Sequence, residues 1–179
     1  PDSQDICFVP DGDYASFIEQ YTGQSSEPGD FVNKEGKVLG KHKGQIHYTI
    51  GQRRGLGISA PESLYVCGKS LDSNEVILGG KQDLMSNYCY INDINLIPWD
   101  HLDAPIKCKV KTRYRQPEQP ATVEQIGEDL IKITFDEPQR AVTPGQAAVL
   151  YDNDMVLGGG TILPEGLAST MTTSQGTNN

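Results

Sequence analysis

Two features of this sequence could carry chemistry: a cysteine near the first residue and a row of alternating basic side chains. Cys7 lies in "DSQDICFVPDGDY", with Asp5 two residues before it and Asp11 four residues after it. A thiolate is a strong nucleophile, but neighbouring carboxylates disfavour it unless a positive group comes from elsewhere. Free cysteines are also commonly buried and inert. These residues alone therefore favour a buried core cysteine, with a reactive thiol as the alternative.

The basic row lies in "IKCKVKTRYR", which has the alternation typical of a strand. Because successive side chains of a strand point to opposite faces, the pattern predicts that all five cations share one face. Like charges spaced about 7 Å apart repel each other unless an anion neutralises them, which favours phosphate binding. The alternative is a solvated face with acids on the neighbouring strands. The five residues are Lys107, Lys109, Lys111, Arg113 and Arg115, and Cys108 on the other face is predicted to be core.

A second basic segment, "GKHKGQIHYTIGQRRGLGI", runs from Gly40 to Ile58. It combines recurring glycines with Lys41, Lys43, Arg53 and Arg54. Glycine allows backbone amides to approach an anion closely, and arginine can fork onto phosphate or stack on a base. The segment matches no nucleotide-binding fingerprint, so a purely structural glycine-rich turn is an equal alternative.

The charge distribution decides how the overall acidity is interpreted. The net charge of -9 argues against a nucleic-acid partner by itself. However, six of the 15 Lys and Arg residues lie within residues 34–54 and five within residues 107–115, so 11 are concentrated in two short segments. Basic surfaces for nucleic acid are therefore compatible with this composition.

Other site classes find little support in the sequence. No apolar run approaches the roughly 20 residues of a membrane helix, and no secretory signal is visible, so the cytoplasm is the expected compartment. The four cysteines lie far apart with no C-x-x-C pair, which signals neither a zinc site nor a disulfide framework. The three histidines and the aspartates near Cys7 match no metal-ligand spacing, so no metal is expected.

The first half of the chain predicts one helix and small sheets. Tyr14, Phe17, Ile18 and Tyr21 have helical spacing, Asp11 or Asp13 could cap the helix, and Gly23 could end it. Two hairpins are predicted to follow, one turning at Glu35-Gly36 in "DFVNKEGKVLG" and one at Asp72-Ser73-Asn74 in "SLYVCGKSLDSNEVILGG".

The second half predicts a barrel. A polar interval over residues 81–87 precedes six strand-like segments: "YCYINDINLI", "APIKCKVKTRYR", "ATVEQI", "LIKITF", "QAAVLYD" and "MVLGGGTIL". Strands at this close spacing favour a closed antiparallel barrel, because closure removes exposed edges. The expected fold is mainly β, with a central domain over residues 1–85, a six-stranded antiparallel β-barrel over residues 86–164, and a flexible tail over residues 165–179.

Five blocks taken together carry a resemblance to a known family. They are "DSQDICFV", "GQIHYTIGQRRGLGI", "KTRYRQPEQPATV", "FDEPQRAVTPGQAAVLYD" and "VLGGGTI". In this order they resemble the central domain and C-terminal β-barrel of the bacterial tRNA-specific 2-thiouridylases, which place sulfur on the wobble uridine of certain tRNAs. The chain begins without Met, and the family's N-terminal ATP-binding domain has no counterpart in it, so a fragment is expected.

The resemblance implies a role for Cys7 that its neighbours alone do not. It corresponds to the family's second catalytic cysteine, whose persulfide supplies sulfur to carbon 2 of an adenylated uridine. AMP then leaves, and a first cysteine in the ATP-binding domain resolves the remainder as a disulfide. The family commonly has Thr-Gly where this chain has Gln4 and Asp5, and the added carboxylate at Asp5 disfavours the resting thiolate.

The resemblance also implies the partners. tRNA is expected on Lys41, Lys43, Gln52, Arg53 and Arg54 and on Lys107, Lys109, Lys111, Arg113, Tyr114 and Arg115. ATP is expected on the absent domain, a cysteine desulfurase or relay protein is the expected sulfur donor, and the protein is expected to be a monomer. The fragment alone is expected to be inactive. The alternatives are a non-catalytic RNA-binding barrel with a structural Cys7, and a protein-interaction barrel that does not bind RNA.

Overall fold

A computed structural model describes residues 14–23, 25–114 and 116–164. The chain divides into two compact units, with the division between Leu84 and Met85. The predicted caps of the first helix, Asp11 and Asp13, lie outside the described residues, as does the predicted tail over residues 165–179. The mainly β fold, with one α-helix among the described residues and a closed six-stranded barrel, is confirmed.

The first unit begins with helix α1, Tyr14–Thr22, as its helical spacing predicts. Gly23 ends this helix with a φ of +68°, and its N–H donates to the carbonyl of Glu19 at 2.9 Å. A left-handed residue at this position favours glycine, because any Cβ would crowd the backbone.

A four-stranded sheet follows, formed by β1 (Gly29–Val32), β2 (Val38–His42), β3 (Tyr65–Ser70) and β4 (Glu75–Gly79). Both predicted hairpins are present: β1 pairs antiparallel with β2, and β3 with β4. The hairpins join through a parallel pairing of β1 with β4, giving the order β2-β1-β4-β3. The local sequence does not predict this parallel pairing, because the two strands are far apart in the chain.

One face of this sheet carries the core of the first unit. Phe31, Val66, Val76 and Leu78 are almost completely buried there. The segment between β2 and β3 covers this face, since Tyr48 and Leu56 belong to the same cluster. The rings of Phe31 and Tyr48 pack edge to face with centroids 5.0 Å apart, a favourable geometry for aromatic pairs.

The second unit is a closed barrel of six strands: β5 (Met85–Leu96), β6 (Ile106–Lys111), β7 (Gln119–Gly127), β8 (Leu130–Arg140), β9 (Ala147–Asp152) and β10 (Met155–Ile162). Their order around the barrel is β10-β5-β8-β7-β6-β9, and every pairing is antiparallel. The interior is filled by alternate residues such as Ile91, Val123, Ile133 and Leu150.

Glycines in β10 permit the barrel to close. A Cβ added at Gly158 or Gly160 would collide with backbone carbonyls of β5, and one at Gly159 with the carbonyl of Ala148 in β9. Strand β10 therefore fits between its two neighbours because these positions have no side chain.

Three strand ends differ from the sequence prediction. Strand β5 begins at Met85, inside the interval expected to be polar and irregular, and β8 continues past Phe135 to Arg140. The two extensions pair with each other, Met85 with Arg140 and Ser86 with Gln139, after a register shift. Strand β6 ends at Lys111, earlier than the predicted segment. Cross-strand pairing extends or ends strands in ways that local residue types do not reveal.

Candidate nucleic-acid interface

Cys7, the expected sulfur carrier, lies outside the described residues. The cysteines within the described residues, Cys67, Cys89 and Cys108, are free thiols. Burial raises the pKa of Cys89 to about 12 and that of Cys108 to about 11. The pKa of Cys67 is also raised, first by burial and then by the nearby carboxylate of Asp83. These three thiols are mostly protonated at neutral pH, and Cys89 and Cys108 pack with the apolar core of the barrel, as predicted for Cys108.

The glycine-rich segment places two arginines on an anchored turn. Tyr48 and Leu56 are buried on either side of it, while Arg53 and Arg54 between them are exposed. The Gly51 N–H donates to the carbonyl of Val66 at 2.8 Å, which ties the turn to β3. Both guanidinium groups are therefore presented to solvent from a segment that is fixed at both ends.

Gln52 supports this turn from within. Its Oε1 accepts a hydrogen bond from the Thr49 N–H at 3.0 Å, and its Nε2 donates to the carbonyl of Arg54 at 2.9 Å. Gly55, which follows, has a φ of +76°, a conformation that favours glycine. The amide expected to contact tRNA is thus engaged in holding the backbone of the two arginines.

Lys41 is on a different face from the segment that carries the arginines. It pairs across the strands with Asp30, and its Nζ lies 2.8 Å from the Asp30 carboxylate. Its neighbours in β2 belong to the core face, since His42 packs against Phe31 and Gly40 lies beneath Ile58. Because strand residues alternate between faces, Lys41 points away from the face that residues 48–58 cover. The four basic residues of this segment do not share one surface of the sheet.

His42 separates the two exposed lysines, Lys41 and Lys43, and is buried. Its Nδ1 accepts the Gly44 N–H at 3.0 Å, which leaves Nε2 to donate to the carbonyl of Asn74 at 3.1 Å. Both ring nitrogens are therefore used inside the unit. This arrangement makes His42 a structural residue that fixes the end of β2 against the turn before β4.

A cleft of about 340 Å³ adjoins the arginine turn. Its lining includes Arg53, Leu56, Ile58, Glu62 and Leu64. The exposed surface of this cleft is mainly polar and includes the Glu62 carboxylate as well as the Arg53 guanidinium, so the polar edge of a nucleobase could rest there.

On the barrel, strand β6 presents lysines outward as the alternation predicts. Lys107 and Lys109 are exposed, whereas Val110 is buried in the barrel interior and Cys108 packs against it. The predicted row of five cations on one strand face is wrong beyond Lys111, because the strand ends there. Arg113 is partly buried, Tyr114 is 78% exposed, and Arg115 lies outside the described residues.

The residues beside these lysines decide between the two interpretations of the basic row. Lys107 is paired with Thr122, Lys109 with Pro120 and Tyr151, and Lys111 with Val149. None of these direct cross-strand neighbours is acidic. The exposed acid on this face of β7, Glu124, is a diagonal neighbour of Lys107 and pairs directly with Lys132. No acid therefore directly faces the three lysines, which favours anion binding over neutralisation by the adjacent strands.

The register adds outward residues that the sequence analysis missed. Thr122 pairs with Thr134, and Thr134 with Tyr88, so Tyr88 lies in the same outward row as Lys107. The Nζ of Lys132 lies 5.7 Å from the centroid of the Tyr88 ring. The rings of Tyr88 and Tyr90 pack edge to face, with their centroids 5.6 Å apart. Alternation in "YCYIND" could have indicated that both tyrosines face outward, but only the register places them in line with the lysines.

Comparisons with known proteins match both units. Residues 15–80 match the tRNA methyl transferase PRC-barrel domain, and residues 86–162 match the aminomethyltransferase beta-barrel domain. Over 162 residues, or 90% of this chain, the chain is 46% identical to the tRNA-specific 2-thiouridylases MnmA of Clostridioides difficile and Acetivibrio thermocellus. It is 45% identical to that of Carboxydothermus hydrogenoformans.

The chain belongs to the tRNA-specific 2-thiouridylase family. It spans about 45% of the length of the curated relatives it matches. The two domain descriptions mention methyl transfer, whereas the relatives that match across 90% of the chain are named for thiolation. The resemblance inferred from the five sequence blocks is confirmed.

Among residues 14–23, 25–114 and 116–164, no group of three or more His, Cys, Asp or Glu side chains is arranged to hold a metal ion. In the same part of the chain, no helix has the length and apolar character needed to cross a membrane.

Proposed function

We propose that this chain is the part of a tRNA-specific 2-thiouridylase that supplies the sulfur-carrying cysteine and surfaces for tRNA. The observation that carries the proposal is the 46% identity over 162 residues to relatives of that name. The geometry supports the RNA part, because both units present exposed basic side chains on supported backbone.

In the proposed reaction, Cys7 carries a persulfide whose terminal sulfur attacks carbon 2 of the adenylated wobble uridine. The new C–S bond replaces the C–O bond to the adenylate, and AMP leaves. A cysteine of the ATP-binding domain then attacks the sulfur of Cys7, which breaks the S–S bond, leaves sulfur on the uridine and joins the two cysteines as a disulfide. A thiol reductant restores both cysteines.

The proposed tRNA contacts fall into two groups. The first is the arginine turn, where Arg53 and Arg54 contact phosphate or base and Gln52 holds their backbone. Lys43 and, from the opposite face of the sheet, Lys41 contribute further charge in this unit. The second group is on the barrel, with Lys107, Lys109 and Lys111 on the outward face of β6 and Arg113, Tyr114 and Arg115 after it. Such contacts mainly position the tRNA, because phosphates carry no sequence information.

Other parts of the proposal concern what lies outside this chain. ATP is bound by the part of the relatives that this chain does not match. A cysteine desulfurase or relay protein delivers sulfur to Cys7, and the protein acts as a monomer in the cytoplasm.

The decisive experiment replaces Cys7 in the complete enzyme. Cys7→Ser is expected to abolish thiolation, measured as 2-thiouridine in tRNA by mass spectrometry, while tRNA binding is retained. Cys67→Ser is the matched control, because that half-buried thiol has a raised pKa and no proposed role. Continued thiolation by Cys7→Ser would refute the sulfur-carrier role and favour the RNA-binding module with a structural cysteine.

A further inference from the structure

An exposed apolar patch lies at the end of the barrel where β5 ends and β10 begins. It consists of Ile97, Trp99, Met155 and Val156, and between 39% and 66% of the surface of each residue is exposed. The Ile97 N–H donates to the carbonyl of Leu157 at 2.9 Å, which holds the two strand ends side by side. Met155 and Val156 directly precede Leu157, and Trp99 follows two positions after Ile97, so all four lie within a few residues of this hydrogen bond.

The side chains of this barrel-end patch are typical of the centre of a protein interface. Single apolar residues are ordinary on a protein surface, whereas a contiguous group with a polar rim favours contact with another molecule. Tryptophan contributes a large contact area, and the flexible thioether of methionine adapts to the shape of a partner. Both are enriched in interfaces relative to the rest of a protein surface.

The segments that build this end of the barrel contain acids but no lysine or arginine. Residues 82–106 and 141–179 have neither basic residue. Strands β5, β9 and β10 and the loop that follows β5 all fall within these two stretches. The lysine row of β6 begins one strand away, since Lys109 pairs with Tyr151, which in turn pairs with Val156.

Exposed aspartates accompany the apolar side chains: Asp100, Asp103, Asp152 and Asp154. Asp100 directly follows Trp99, Asp154 directly precedes Met155, and Asp152 pairs with Met155 across the hairpin. The salt bridges found among the described residues are confined to the first unit, so none neutralises these carboxylates. Such a surface repels phosphates, whereas a protein with basic side chains around an apolar contact complements it.

We propose that the barrel-end patch is the docking surface for a separate protein that presents basic side chains around an apolar contact, and that this protein delivers sulfur to Cys7. The second part rests on the proposed function, because an enzyme that is recharged with sulfur in every cycle must meet its donor repeatedly. A second copy of this chain docking through the same patch would place acids against acids, which is unfavourable. Because the patch repels phosphates, the donor and tRNA do not compete for it.

Docking serves one exchange reaction. The thiolate of Cys7 attacks the terminal sulfur of the donor's persulfide, the S–S bond of the donor breaks as a new S–S bond forms at Cys7, and the donor leaves as a thiolate. One S–S bond is present before and after the step, so it requires no other oxidant or reductant. The contact needs to last only for this exchange, which suits an acidic rim that speeds association with a basic partner.

The test uses the complete enzyme with the cysteine desulfurase encoded by the same genome and any relay protein encoded with it. Radioactive sulfur from labelled cysteine is followed onto Cys7 at donor concentrations below saturation, and Cys7→Ser gives the background. Asp154→Lys is expected to slow the labelling of Cys7 by about tenfold or more, because the reversed charge repels the basic partner. Asp136→Lys is the matched control, since it makes the same charge change at an exposed aspartate of β8. It is expected to change the rate less than about twofold.

A second variant tests the apolar centre of the patch. Trp99→Ala is expected to weaken binding of the donor to the complete enzyme by about tenfold or more, measured by biolayer interferometry, because it removes the largest apolar contact. Binding of tRNA, measured by filter retention, is expected to stay unchanged. Trp99→Phe keeps an aromatic ring and is expected to restore most of the donor affinity.

The proposal is overturned if Asp154→Lys slows the labelling of Cys7 no more than Asp136→Lys does, or if Trp99→Ala binds the donor like the unaltered enzyme. A change in elution volume or melting temperature of Asp154→Lys without slower labelling would also overturn it. The patch would then be covered by a second copy or by another part of the enzyme. If no donor labels Cys7 above the Cys7→Ser background, the sulfur-carrier role itself is refuted, and the docking proposal falls with it.

Discussion

At the scale of single residues, environment separates the cysteines of this chain. Cys89 lies in the barrel core, and Cys108 packs against the same core. Removing a thiolate from water is costly, so burial raises the pKa values of both thiols, to about 12 and about 11. A thiol that carries sulfur needs access and a usable thiolate. Neither residue fits that role, and the family resemblance alone assigns it to Cys7.

Alkylation with iodoacetamide at pH 7.5 tests this separation. At that pH the thiolate fraction of Cys108 is on the order of one in a thousand or less. Cys89 and Cys108 are therefore expected to react at least about 100-fold more slowly in the folded chain than in urea, with rates that rise as the pH approaches their pKa values. Mass spectrometry of tryptic peptides gives the rate for each cysteine. Labelling of Cys89 at the same rate in both states would contradict the burial of that thiol.

At the scale of elements, the strand register determines which residues lie beside each basic side chain. The lysines of β6 alternate outward, but their significance depends on what lies beside them. Pairing with Thr122, Pro120, Tyr151 and Val149 leaves them without acidic direct neighbours. In contrast, Lys41 in β2 pairs with Asp30 and forms an ion pair. Lys41 is therefore partly neutralised by its neighbour, whereas the lysines of β6 have no acidic direct neighbour that would compete with a phosphate.

tRNA binding over a salt series measures this difference. Each lysine that neutralises a phosphate contributes close to one unit to the slope of log affinity against log salt. Lys109→Gln is therefore expected to weaken tRNA binding and reduce the slope by about 0.7 to 0.9. Lys81→Gln removes an exposed lysine outside both basic segments and is expected to leave the slope unchanged. Equal effects of the two variants would show that net charge, rather than the β6 face, governs binding.

At the scale of the whole molecule, the chain has two separate apolar cores. Phe31, Val76 and Leu78 belong to the core of the first unit, and Ile133 and Leu150 to that of the barrel. The two clusters share no residue among those the structure describes. Each unit therefore has its own source of hydrophobic stabilisation.

Unfolding in urea tests whether the two cores act separately. Trp99, the one tryptophan of the sequence, lies between β5 and β6 and reports on the barrel. Ile133→Ala leaves a cavity in the barrel core and is expected to reduce the free energy of unfolding seen by tryptophan fluorescence by about 2 to 5 kcal/mol. Leu78→Ala is the matched change in the first unit and is expected to leave that transition in place. An equal shift in both variants would mean that the units unfold together.

Much of the fold follows from local patterns in the sequence. The spacing of Phe17, Ile18 and Tyr21 is helical, and Gly23 supplies the stop. Alternation and turn residues indicate both hairpins and the six barrel strands, because side-chain periodicity directly reflects which face is buried. The five ordered blocks in the sequence also identify the family.

The tertiary structure decided the features that depend on contacts between distant residues. Pairing of Met85 with Arg140 extended β5 and β8, and the end of β6 at Lys111 removed Arg113 from the predicted row. The hydrogen bond from Arg113 to Thr143 spans 30 positions of the chain. Periodicity specifies the face of a residue within its own element, whereas register and closure depend on the energies of long-range pairing. The sequence by itself therefore determined the elements and the family, and the tertiary structure decided which charged side chains lie together.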